Sequence, residues 1–209
     1  MKTILAFGDS NTWGYIPGSN SRKRYPYENR WTGILEGMLD NIKIAEEGLC
    51  GRTTVFDDPL RPHRNGKASL SMILETLDPI EAAVLMLGTN DCKSVYNASA
   101  SRIGEGVESC LELLENYVSP GNIILVSPIL LGENVWRPDK DPEFNHKSVE
   151  VSQELKNVYM DIANKRGNAF LAASDYACAD EADNEHLNED GHRKLANALF
   201  EKIKEMGLI

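Results

Sequence analysis

Five short apolar runs, widely spaced and separated by helical patterns, constrain this chain more than any other feature. They are 3–7, 42–45, 82–87, 122–127 and, more weakly, 169–172. A short apolar run closed by a turn signal reads as a buried strand of the kind found in parallel sheets. Between the runs, Trp31, Ile34, Leu35, Met38 and Leu39 follow the i, i+3, i+4, i+7, i+8 rule of one helix face. Leu70 to Leu77, Ile103 to Val118 and Val151 to Ile162 carry similar stripes, and Leu195, Leu199, Ile203 and Met206 mark a last helix. Asn188 suits the N-cap of that helix, with Glu189 and Asp190 at its positive end. Strands alternating with helices predict βαβ units, right-handed crossovers and a mostly parallel sheet. The simplest solution is an α/β fold of five strands with helices on both faces. A flavodoxin-like order 2-1-3-4-5, taken by analogy, puts the first strand at the switch point where ligands gather.

The length of 209 residues suits one domain, 1–209, and is enough to bury a core without disulfide or metal staples. No composition shift or repeat marks a boundary. The formal charge of -10, from 22 Lys and Arg against 32 Asp and Glu, argues against nucleic acid or an anionic membrane as partner. Cys50, Cys92, Cys110 and Cys178 show no C-x-x-C spacing, so they read as reduced thiols. The first apolar run is too short for a signal-peptide core, and no run is long enough to span a bilayer. A cytoplasmic location is the expectation.

Four segments sit just past predicted strands or before the last helix. They are Gly8-Asp9-Ser10, the stretch from Glu46 to Thr54, Gly88-Thr89-Asn90-Asp91, and Asp183-Asn184-Glu185-His186-Leu187. In a parallel sheet the strand ends share one rim, so these segments can meet there. Together they supply what acyl transfer needs. A Ser hydroxyl needs a base to become a nucleophile. His is the side chain best poised for that near neutral pH, and a carboxylate must hold its tautomer. Asp183 and His186 lie three apart, within reach of one turn. A developing oxyanion needs preorganised donors. The Ser10 N–H, the Gly51 N–H and the Asn90 side-chain amide are the candidates, and a Gly at 51 lets backbone approach a ligand closely.

On these blocks the chain resembles the SGNH hydrolases, the GDSL-type esterase and lipase superfamily. Its four blocks stand here in order as Gly8-Asp9-Ser10, Gly51, Gly88-Thr89-Asn90-Asp91 and Asp183-Asn184-Glu185-His186, across nearly the whole chain. The run from Phe7 to Gly14, with Arg30-Trp31-Thr32-Gly33 and Glu46-Glu47-Gly48-Leu49, is similar to the bacterial arylesterase and acyltransferase branch. The resemblance implies a three-layer α/β/α sandwich with Ser10, Asp183 and His186 as catalytic residues and Ser10, Gly51 and Asn90 as oxyanion hole. It implies a serine esterase that forms an acyl-enzyme on Ser10 from short acyl, acetyl or aryl esters, with water or an alcohol as acceptor. No metal or organic cofactor is called for. Alternatives on the same triad are a carbohydrate acetyl esterase or a thioesterase, and a non-catalytic carbohydrate-binding module is a further one. Position 11 is Asn where the family often has Leu, which bears on turn packing and local polarity.

Each residue also has a plainer reading. Ser10 alone would suit a helix cap, and Asn90 alone a turn. Asp9 reads as structural, its carboxylate bonding nearby N–H groups, and Asp91 as a support for Asn90 or a helix start. His192, beside Asp190, is a rival base, but it continues the last helix's spacing and reads as packed. His63 and His146 read as surface residues. Cys50 and Cys92 read as small buried residues rather than reactive thiols. Asp139, Asp141 and Glu143 lack the spacing of a calcium loop and read as solvated. Loops 15–29, 53–67 and 129–145 are long enough to be binding loops. Asn11, Trp13 and Trp136 are the candidates for lining the substrate pocket. Trp136 and Phe144 look exposed in a Pro-rich loop and would suit a homo-oligomer interface.

Overall fold

The computed structural model describes residues 2–19 and 23–209, so part of loop 15–29 lies outside the described residues. The five runs form strands β1 (Lys2–Gly8), β2 (Ile42–Gly48), β3 (Ala82–Met86), β4 (Ile123–Ser127) and β5 (Ala169–Ala172). All pairings are parallel, as the sequence predicts, and the order is β2-β1-β3-β4-β5, the flavodoxin-like order taken by analogy. The helices are α1 (Ser10–Trp13), α2 (Trp31–Met38), α3 (Gly66–Leu77), α4 (Ala100–Leu114), α5 (His146–Arg166) and α6 (Glu189–Glu205).

Strand pleating divides the core into two layers. Leu5, Phe7, Ala83 and Leu85 face α3, α4 and α5, whereas Ile4, Ala6, Val84 and Met86 face α2 and α6. Successive residues of one strand thus reach opposite helical layers, which is why β1 reads as an unbroken apolar run.

The apolar stripes locate the helices but not their first turns. Asn65, Ser99 and Asn145 cap α3, α4 and α5, each accepting a hydrogen bond from a backbone N–H three residues on. The caps start these helices several residues before the apolar stripe, because their opening turns hold exposed residues such as Lys67, Arg102 and Lys147 beside small buried ones. Val118 lies beyond the end of α4 yet is buried. Asn188 caps α6 as expected, through Gly191 N–H at 2.9 Å. Among the described residues no helix is long and apolar enough to cross a membrane.

Register sets the functional rim. Gly8 pairs with Gly48 on one side and Met86 on the other, so β1, β2 and β3 end level. The segments after them, around Ser10, Gly51 and Asn90, therefore emerge side by side.

Candidate active site

Ser10 opens α1, directly after β1. The Asp9 carboxylate fixes this turn by accepting the Asn11 N–H at 2.9 Å. Across from it lies the loop before α6. There Asp183 Oδ1 accepts the N–H groups of Glu185 and His186, each at 3.0 Å, which folds the four-residue block into one turn. The fold brings His186 Nδ1 to 2.8 Å from Asp183 Oδ2 and His186 Nε2 to 2.9 Å from Ser10 Oγ. With the carboxylate ionised, Nδ1 carries the ring proton and Nε2 is left to accept from the hydroxyl.

Burial pushes the Asp183 carboxyl up, but hydrogen bonding and charge from His186, with the two N–H groups, outweigh it and leave it at about 2. Burial lowers the His186 pKa, and the neighbouring carboxylates, Glu185 and then Asp183, more than reverse this, so its net shift is upward, to about 9. The arrangement provides a base oriented by an acid that stays ionised.

The expected oxyanion donors also converge. Ser10, Gly51 and Asn90 line the same cleft. Gly51 sits third in a turn closed by Arg52 N–H to Leu49 C=O at 3.0 Å, with φ at +82°, a conformation that favours glycine. Among the described residues the N–H groups of Ser10 and Gly51 donate to no protein acceptor. Asn90 Nδ2 gives one hydrogen to the Arg52 carbonyl at 3.1 Å and keeps the other.

The three candidates for lining the pocket are placed elsewhere. Asn11 is buried, and its amide bridges the loop around His186. It donates to Glu185 C=O at 3.3 Å and accepts from Leu187 N–H at 2.9 Å. Trp13 is half-buried beside the Arg24 guanidinium, 5.0 Å from its ring centre. Trp136 packs on the core edge, donates to Glu133 C=O at 2.8 Å and contacts the His146 ring. None of the three is among the residues lining the cleft. Phe144 is not exposed as the sequence suggested. It is buried at 2%, because the 129–145 loop folds back on the core, so it offers no interface.

Several residues have roles that the sequence alone did not suggest. Tyr15 stacks its ring on the His186 imidazole, with centroids 4.4 Å apart. Gly18 N–H donates to Asp183 Oδ2 at 3.0 Å. Arg52, next to Gly51, is buried with its guanidinium 4.1 Å from the Phe7 ring centre, and it donates to Gly8 C=O at 2.8 Å. It thereby joins the end of β1 to the carbonyl that orients Asn90. Asp91 ties to Thr54, accepting its N–H at 2.9 Å, rather than serving Asn90. Lys93 and Arg61 both pair with Glu143, so that part of the acidic loop is held by cations. His192 is packed, as expected, and its Nδ1 accepts the Trp31 N–H at 3.3 Å. The only sequence signals for Glu185 and Arg52 are their positions inside the fourth and second blocks.

The cleft encloses about 350 Å³ and has a mostly polar lining that includes Arg61, Lys93, Lys140, Asp141 and Glu185.

Residues 6–194 match the model of the GDSL-like lipase/acylhydrolase family. No curated protein matches. Among solved structures, the chain is similar to the native aryl esterase of M. smegmatis at 30% identity and a TM-score of 0.89, covering 99% of this chain and 100% of that one. It is similar to Est24, a carbohydrate acetylesterase from Sinorhizobium meliloti, at 33% identity and a TM-score of 0.89, with the same coverage of 99% and 100%. A lipolytic G-D-S-L family member from Veillonella parvula shares the fold alone, at 18% identity and a TM-score of 0.70, over 98% of this chain and 97% of that one.

Proposed function

We infer the reaction from one premise: this chain belongs to the GDSL-like lipase/acylhydrolase family and is an ester-hydrolysing enzyme. We propose that it is a serine esterase built as one domain, residues 1–209, and that Ser10, His186 and Asp183 carry the chemistry. Ser10 Oγ attacks the ester carbonyl while His186 Nε2 takes its proton. The oxygen that becomes negative is met by the N–H groups of Ser10 and Gly51 and by the Asn90 amide. His186, now an imidazolium beside Asp183, returns the proton to the alcohol as the ester C–O bond breaks. The acyl group stays on Ser10 until His186 deprotonates a water, which attacks it and releases the acid. An alcohol in place of water gives acyl transfer by the same steps. The substrates are small esters with short acyl groups. A cleft of about 350 Å³ with a largely polar lining offers little apolar surface to a long chain.

The observation that carries this reading is the unbroken contact from Ser10 Oγ through both ring nitrogens of His186 to Asp183, at 2.9 and 2.8 Å. The test is p-nitrophenyl acetate turnover together with covalent labelling by a fluorophosphonate. Ser10→Ala is expected to lose the label and to reduce kcat by roughly 10⁴-fold or more with the circular dichroism spectrum unchanged. A variant that keeps most of the activity overturns the assignment of Ser10.

A further inference from the structure

Glu185 is the one buried acid at the cleft that the reaction above does not use. It is only 6% exposed, it lines the cleft, and its carboxylate accepts no hydrogen bond among the described residues. Its oxygens are not among the fully enclosed unpartnered atoms, so they meet the open space of the cleft. The nearest basic group is His186, whose Nε2 lies 3.8 Å from Glu185 Oε1. Lys93 also lines the cleft but is engaged by Glu143. Asn11 fixes the Glu185 backbone through its carbonyl, so the side chain is anchored from behind.

Where this carboxylate points decides its use. Asp183 occupies the Nδ1 side of the ring, so Glu185 is no second orienting acid. It flanks Nε2, the atom that passes the proton to the departing alcohol. The ester oxygen must come within hydrogen-bond reach of Nε2, and this brings the adjacent carbon of the alcohol close to Glu185. In its ionised form this carboxylate is an acceptor only, matched to a hydroxyl donor. The remaining cleft, with Arg61, Lys93, Lys140 and Asp141, is likewise suited to a hydroxyl-rich group.

We propose that Glu185 is a specificity-determining residue of the alcohol side. It accepts a hydrogen bond from the hydroxyl on the carbon next to the ester oxygen, selecting esters of vicinal diols, including partly acylated sugars, over esters of simple alcohols. This rests on the esterase reading, with Ser10 as nucleophile.

The test compares 2-hydroxyethyl acetate with ethyl acetate by pH-stat, using the full chain, with p-nitrophenyl acetate as a third ester. In the parent enzyme the kcat/KM ratio of the first to the second exceeds their ratio in alkaline hydrolysis. In Glu185→Leu that ratio falls roughly 10- to 100-fold, as for loss of a hydrogen bond to a charged group. Glu185→Gln keeps a carbonyl acceptor and falls less. A merely structural role lowers both esters together, and an unchanged ratio overturns the inference. Turnover of p-nitrophenyl acetate without discrimination between the two alcohol esters also overturns it and leaves the esterase reading standing. Inactivity on all three esters overturns both.

Discussion

Replacing Glu185 by Gln is expected to make the base work at lower pH on an ester that has no neighbouring hydroxyl. The carboxylate lies 3.8 Å from His186 Nε2 and favours the protonated ring. At an effective dielectric constant of about 20, a full charge at that distance is worth about 4 kcal/mol, or about three pKa units. That is a ceiling, because burial pushes Glu185 itself up to about 7 and the charge is only partly present near neutrality. A downward shift of about one unit or more is expected. The sign follows from the mechanism. Only the neutral imidazole accepts the Ser10 proton, and kcat/KM reports the free enzyme, so its acid limb follows the His186 pKa. With that pKa raised to about 9, the parent enzyme gains activity as pH rises toward that value. Glu185→Gln reaches half of its plateau at least one pH unit earlier and exceeds the parent at pH 7. The assay is kcat/KM for p-nitrophenyl acetate between pH 5 and 10, with Tm measured alongside. An acid limb that stays in place or moves up, with the fold intact, refutes the electrostatic argument.

Three other substitutions test separate parts of the site. Asn90→Ala removes one candidate oxyanion donor and is expected to cut kcat roughly 10²- to 10³-fold, with little change in KM. Asn11→Ala breaks both hydrogen bonds that bracket His186, and kcat is expected to fall about tenfold while fluorophosphonate labelling slows but persists, since misplacing a base costs rate without removing it. Gly48→Ala places a methyl against the backbone of Thr12 and Trp13, which cannot turn aside, so thermal unfolding should show a lower Tm, by about 1–3 kcal/mol of stability.

The limits of the sequence are clearest at single residues. The meeting of Ser10, Asp183 and His186 is legible because these residue types stand in ordered blocks just past expected strand ends or before the last helix. The sequence suggests Asn11 as a residue facing substrate. It faces the His186 loop instead, because its partners lie more than 170 positions away. Phe144 looks exposed in the sequence, since a Pro-rich loop carries no periodicity that would reveal which side chains turn inward. Arg52 and Glu185 were visible as letters inside the blocks, but a charged residue gives no local sign that it will be buried.

Alternation of apolar runs with helical stripes determined the parallel five-stranded sheet and its two helical layers. This follows because local periodicity records which face of each element leaves water. The first turns of α3, α4 and α5, the bridge made by Asn11, the stacking of Tyr15 on His186 and the place of Glu185 beside Nε2 were decided only by tertiary structure. These depend on which distant segments pack together at the rim of the sheet, and one strand or one loop carries no record of its neighbours across the fold.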